Sequence, residues 1–210
     1  MQNKPKCKTM ELLAPAGGPE QLTAAVLCGA DAVYFGAGNF NARRNAKNFE
    51  LESLRETVTF CHLHGTAVHL TVNTLVFDRE LPSAMETVRA ACEAGVDALI
   101  VQDLGLARFI RQAAPDMPIH ASTQMSLHNL SGVQLLEPFG YTRAVLAREM
   151  NAEEIAQVCR GTTMEIETFV HGALCMCLSG QCYLSAVAGE RSGNRGLCAQ
   201  PCRLPFYEKN

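Results

Sequence analysis

With 210 residues, of which 48% are hydrophobic and 19% charged, the chain can enclose one sizeable core and gives no reason to expect two. The formal net charge of −3 neither demands nor excludes a nucleic-acid partner, so any anion-binding surface must be local. Nothing approaches the ~20 apolar residues of a membrane span, and the positively charged start is followed by no apolar stretch; no membrane association and a cytoplasmic location are expected. In that compartment the ten cysteines read as thiols and metal ligands rather than disulfides.

Along the chain, a helix-like stretch four times ends in glycine and is followed by a short apolar run, at Gly29, Gly65, Gly95 and Gly140. Glycine suits the left-handed residue that closes a helix, and a continuous Val/Ile/Leu run suits a strand buried on both faces. Reading outward from these junctions predicts strands near 11–14, 32–36, 67–72, 97–101, 118–122, 144–148 and 164–170. Helices are predicted near 19–28, 51–63, 82–94, 104–113, 129–137 and 151–159, with starts marked by Pro19, by Pro82 and by Asn151 with Glu154 three residues on. Alternating β and α units imply a parallel sheet with right-handed crossovers. The first βα turn, Ala14 to Glu20, holds no G-x-G-x-x-G, so a (β/α)8 TIM-like barrel is preferred over an open doubly wound sheet. An eighth strand could begin at Leu204, but a barrel usually takes about 250 residues, so 1–210 is read as a single barrel domain that is minimal or incomplete at its C-terminus.

In a barrel, chemistry belongs at the carboxyl ends of the strands. The polar residues expected there are Asn73, Gln102, Asp103, His120, Ser122, Gln124, Arg148, Glu149, Glu167 and His171. Each also has a structural reading: Asp103 as a helix cap, Arg148 with Glu149 as a salt bridge. Strand alternation puts Glu167, Phe169 and His171 on one face, where a carboxylate beside an imidazole could transfer protons or form a structural pair.

The cysteine-rich segment 172–203 is the most informative stretch. Cys175, Cys182, Cys198 and Cys202 are separated by six, fifteen and three residues in a glycine-rich surrounding, which points to a thiolate-bound metal centre. Cys177, two residues from Cys175, is a rival for the first position. Cys28, Cys61, Cys92 and Cys159 lie in apolar helical contexts and are expected to pack as small core residues; Cys7 lies in a tail. Zinc competes with an iron–sulfur centre for any four-thiolate set, although the gap from Cys175 to Cys182 exceeds the usual zinc-knuckle spacing.

The stretches ELLAPAG, GADAVYFGAGNFNAR, VNT, ALIVQD, HASTQ and VLARE, together with ETFVHGALCMCLSGQCYLS and RSGNRGLCAQPCRLP, resemble the collagenase-like peptidase U32 family from Glu11 to Pro205. The resemblance implies an iron–sulfur RNA hydroxylase acting on a 23S rRNA cytidine or the tRNA wobble uridine, with prephenate as co-substrate and relatives that hydroxylate the ubiquinone ring. It also implies a 4Fe-4S cluster on Cys175, Cys182 and Cys198, with Cys202 or a residue further along as fourth ligand; Cys177 departs from the family pattern. The alternatives are a peptidase, for which the chain offers no H-E-x-x-H or G-x-S-x-G but could offer Cys175 with His171, and a non-catalytic RNA-binding module using Arg43, Arg44, Arg191, Arg195 and Arg203.

Overall fold

Short apolar runs between amphipathic helices can satisfy their backbone only by pairing with one another, and the sheet they build is wholly parallel. The computed structural model describes residues 10–42, 44 and 47–207. Its elements run β1 Leu13–Pro15, α1 Pro19–Leu27, β2 Ala32–Gly36, α2 Leu54–Leu63, β3 Ala67–Val72, α3 Leu81–Ala94, β4 Ala98–Val101 and α4 Leu104–Ala113. They continue through β5 Ile119–Ala121, α5 Leu130–Gln134, β6 Tyr141–Val145, α6 Ala152–Gly161, β7 Glu165–Glu167 and α7 Leu184–Gly189. The seven strands pair in sequence order, β1 to β7, giving the curled, incomplete TIM-like barrel expected. No helix among the described residues is long and apolar enough to cross a membrane.

Strand alternation separates two environments. Val33, Phe35, Val68, Leu70, Val72, Leu99, Val101, Ile119 and Leu146 face the helices and pack with Leu54, Val58, Val88, Leu106 and Ile110. Each such side chain contributes about 1.5–3 kcal/mol when fully buried. The alternate residues face the lumen, where one row runs Thr71, Ile100, His120, Arg143, Glu165 across five strands. That row depends on a bulge: Ile119 pairs with Tyr141 but His120 pairs with Arg143, so Thr142 is an extra residue. Because side chains alternate with period two, the bulge shifts Arg143 from the helix face to the lumen.

There Arg143 gathers carboxylates from both edges of the sheet. It binds Glu11, just before β1, at 2.6 and 3.1 Å, Glu165 of β7 at 2.7 Å, and approaches Glu167 at 3.5 Å. Burial works against the Arg143 charge, but the hydrogen bonds to Glu11 and Glu165 outweigh it and hold the guanidinium protonated. The Arg143 hydrogen bond likewise holds Glu11 below the usual carboxylate range.

Several expectations are corrected. The sixth strand, expected at 144–148, lies at 141–145, because residues after Gly140 pair at once with β5. The seventh stops at Glu167. Among the described residues no eighth strand forms at Leu204: the chain leaves a 3-10 turn at Pro201–Arg203 and runs exposed through Tyr207, with Pro205 unable to donate. The fifth helix is only a turn and a half, closed by a separate turn at Glu137–Phe139, and α7 was unforeseen. Of the four cysteines expected in the core, Cys61 is buried, whereas Cys28, Cys92 and Cys159 are exposed on outer helix faces. Cys7 lies outside the described residues.

Arg143→Met should lower the unfolding free energy by roughly 2–4 kcal/mol, between exposed and buried ion pairs, as read by urea denaturation.

Candidate functional site

The rim at the strand carboxyl ends is built from residues that mostly bind backbone. Asn73, following β3, accepts from Ala42 N–H at 2.9 Å and donates to Ser122 Oγ at 3.4 Å, tying the segments after β2, β3 and β5. Asp103 caps α4 through Leu106 N–H at 2.9 Å, and its other oxygen accepts from Val76 N–H at 3.1 Å. Its carboxylate is therefore committed to structure, in line with the capping reading. The side-chain oxygens of Gln102 and Gln124 are buried at this rim without a hydrogen-bond partner.

The cysteine-rich segment lies over this rim and is pinned to it at three places. Ser179, 1% exposed, is the first. Its N–H and hydroxyl contact Glu149 Oε1 at 3.0 and 3.2 Å, its oxygen accepts from Arg148 Nε at 3.2 Å, and its carbonyl accepts from Ser126 Oγ at 2.6 Å. The other Glu149 oxygen meets His128 Nε2 at 3.2 Å. Gly180 follows at φ 74°, and a Cβ there would lie 2.0 Å from the Gln124 carbonyl, so only glycine allows this approach. The second attachment is Gly196, where a Cβ would lie 2.1 Å from the Asn41 carbonyl. The third is Arg195, which binds Glu80 at 2.5 and 3.0 Å and the Leu75 carbonyl at 2.8 Å while covering the Phe77 ring at 4.4 Å. The Arg195 hydrogen bond, helped by Phe77 N–H, draws Glu80 down to about 2.

These attachments hold Cys175, Cys177, Cys182 and Cys202 around one cavity of about 270 Å³, which Met176, Tyr183 and Leu184 complete. Cys198 is exposed and outside that lining; its sulfur accepts from Ser185 Oγ at 3.8 Å. Burial pushes the Cys175 thiol up, but the Cys177 backbone N–H and the Arg148 guanidinium more than offset it, leaving Cys175 below the ordinary thiol range. Among the described residues no three Cys, His, Asp or Glu side chains converge as the ligands of a single ion would. Of the four expected ligands, Cys175, Cys182 and Cys202 line the cavity and Cys198 does not, and Cys177 completes the set of thiols around it. His171 is exposed and makes no hydrogen bond or ion pair with the described residues, and Glu167 turns to Arg143, so the expected Glu167–His171 pair is not formed: β7 ends at Glu167 and alternation does not extend to residue 171.

A protein-family model described as Peptidase family U32 matches residues 17–209. The chain belongs to that family. Among curated U32-like relatives it is 43% identical over 201 residues to a 23S rRNA 5-hydroxycytidine synthase of Escherichia coli, covering 96% of this chain and 30% of that protein. It is 40% identical to the tRNA hydroxylation protein P1 of Bacillus subtilis, covering 95% of this chain and 47% of that protein, and 36% identical to a collagenase of Porphyromonas gingivalis, covering 95% and 50%. The chain thus spans between about a third and a half of the length of these relatives. A solved U32 peptidase superposes with a TM-score of 0.64 at 14% identity, covering 80% of this chain and 71% of that one, which supports the fold.

In this U32 barrel His120 is not at the rim. It lies mid-lumen, 4% exposed, its ring edge-on to His69 at 4.8 Å, and the Nδ1 atoms of both are buried without partners. Burial draws His120 down to about 2 and His69 to about 4, so both are neutral near pH 7. Burial raises Glu167 above the usual carboxylate range despite Arg143. Of the arginines expected to meet phosphate, Arg195 is committed to Glu80 and Arg203 donates to the Leu174 carbonyl at 3.0 Å, leaving Arg44 and Arg191 exposed; Arg43 lies outside the described residues. Sequence reasoning missed Ser179, Ser126, His128 and Glu80. Only Ser179 carried a signal, sitting beside Gly180 between two cysteines.

Gly180→Ala should undock the segment while the barrel stays folded. Labelling of Cys175 and Cys182 by a thiol reagent should accelerate several-fold at unchanged circular dichroism. Both lumen histidines have folded values depressed below the ordinary 6.5, so their contribution is present above pH 6.5 and is lost as pH falls toward 4 for His69 and toward 2 for His120. Stability should decline by about 1.4 kcal/mol per pH unit for each histidine below about pH 6, and His69→Gln with His120→Gln should flatten that slope in urea titrations.

Proposed function

We propose that this chain is the barrel portion of an iron–sulfur RNA hydroxylase that acts on a pyrimidine base of ribosomal or transfer RNA, with prephenate as co-substrate. The observation that carries the reading is the set of thiols held around one cavity over the carboxyl rim. The names of the relatives agree with it: RNA hydroxylation at 43% and 40% identity.

Cys175, Cys182 and Cys202, which line the cavity, would hold a 4Fe-4S cluster together with Cys198, which lies outside that lining and would have to turn inward from Ser185; when bound, the cluster supplies one-electron transfer at the barrel mouth. The chain's own residues do the rest. Arg148 offsets thiolate charge at Cys175, and Glu149 fixes the segment through Ser179. The unpartnered Gln102 and Gln124 oxygens are acceptors suited to the N–H groups of a base, beside Asn73 and Ser122. Arg44 and Arg191 are exposed cations available to phosphate. The peptidase alternative, which the collagenase relative keeps in view, needs a base against the nucleophile, and His171 makes no such contact.

The test is iron and acid-labile sulfide content of protein purified without oxygen. About four of each per chain are expected, lost in Cys175→Ala, Cys182→Ala, Cys198→Ala and Cys202→Ala. The loaded protein is then incubated with prephenate and unmodified rRNA or tRNA, and nucleosides are scored by mass for one added oxygen. Zinc in place of iron, or gelatin hydrolysis that survives iron removal, would overturn the reading.

A further inference from the structure

Five cysteines serve a segment for which the cluster reading needs four, and the surplus one has a defined place. Cys177 and Cys182 flank the four residues Leu178–Gln181, a tight turn closed by Gln181 N–H to the Leu178 carbonyl at 3.1 Å with Gly180 at φ 74°. The turn brings the Cα atoms of Leu178 and Gln181 to within about 7 Å and so carries the cysteines on either side back toward each other, a disulfide requiring a Cα separation of roughly 4.4–6.8 Å. Both thiols are half-buried and both line the same cavity. The Cys177 sulfur also reaches the Gln181 carbonyl at 3.5 Å, across the turn. The turn is rigid, since Ser179 is held by Glu149, Arg148 and Ser126, Gly180 abuts Gln124, and Gln181 donates to Ser126 Oγ at 2.9 Å.

The other pairings are less prepared. Cys175 turns to Arg148, Cys198 is held by Ser185, and Cys202 arrives from the far end of the segment.

We infer that Cys177 and Cys182 are a built-in oxidation site: in the cluster-free protein they form a disulfide under peroxide, which withdraws Cys182 from the ligand set until a thiol reductant returns it. The chemistry balances. One thiolate attacks a peroxide oxygen, the O–O bond breaks, and a sulfenic acid and water result. The second thiol attacks that sulfur, the S–O bond breaks, a second water leaves, and the S–S bond forms, so two thiols are oxidised and one hydrogen peroxide reduced. The blocking consequence rests on the cluster reading; the disulfide itself does not.

The experiment treats the chain, stripped of iron with a chelator, with equimolar hydrogen peroxide. Remaining thiols are alkylated and the peptides mapped by mass. The expected product is an internal Cys177–Cys182 bridge that forms in wild type and in Cys198→Ser, is absent in Cys177→Ser, and is reversed by dithiothreitol. Iron and sulfide uptake after peroxide should fall several-fold in wild type and be retained in Cys177→Ser, whose circular dichroism reports that it folds. Cys177 remaining alkylatable while Cys182 pairs elsewhere or over-oxidises would overturn the inference. If neither protein takes up iron at all, the cluster reading fails while the mapped bridge still decides the disulfide.

Discussion

A seven-stranded parallel sheet leaves two edge strands whose outer backbone groups are unpaired, and what draws those edges toward each other here is electrostatic. Arg143 on β6 reaches Glu11 ahead of β1 and Glu165 on β7, so one guanidinium spans the side of the barrel where no described strand lies. It can do so only because the bulge at Thr142 turns it inward. The curl thus fixed brings the carboxyl ends of β2, β3, β5 and β6 close enough for a single segment to touch all of them, through Asn41, Glu80, Gln124 and Glu149.

The two ends of the lumen are chemically different. Toward the amino ends, neutral His69 and His120 line a cavity with Asp97, Thr142, Arg143 and Glu165. Toward the carboxyl ends the polar groups are amides, hydroxyls and thiols. The thiols thus lie at the end of the barrel where loops after the strands gather.

Much of the fold was legible because it is written in local patterns. β2, β3 and α4 lie at their predicted bounds, since an apolar run after a helix-closing glycine and an Asp103 cap are short-range signals. β6 was misplaced by three residues because a bulge is a property of pairing, which periodicity along one strand does not contain. The site was legible in kind but not in arrangement. Cysteine spacing marked the segment, and strand-end position marked Arg148 and Glu149. Their partner, Ser179, lies about thirty residues away, and its place beside Gly180 between two cysteines does not indicate which residues it binds. Glu167 and His171 were joined by an alternation that presumed a longer strand, and Cys28, Cys92 and Cys159 show that an apolar neighbourhood in sequence need not be the buried face of a helix.

The way the cysteine segment is attached sets an order of assembly. Segment 172–203 contributes few buried apolar side chains, and its contacts reach back to residues 41, 80, 124 and 149, all of which must first be brought together by the sheet. Such long-range contacts form late in folding, because the loop they close is favourable only once its anchor points are fixed. Cys198 and Cys202 therefore reach their places relative to Cys175, Cys177 and Cys182 only once the sheet beneath them has formed.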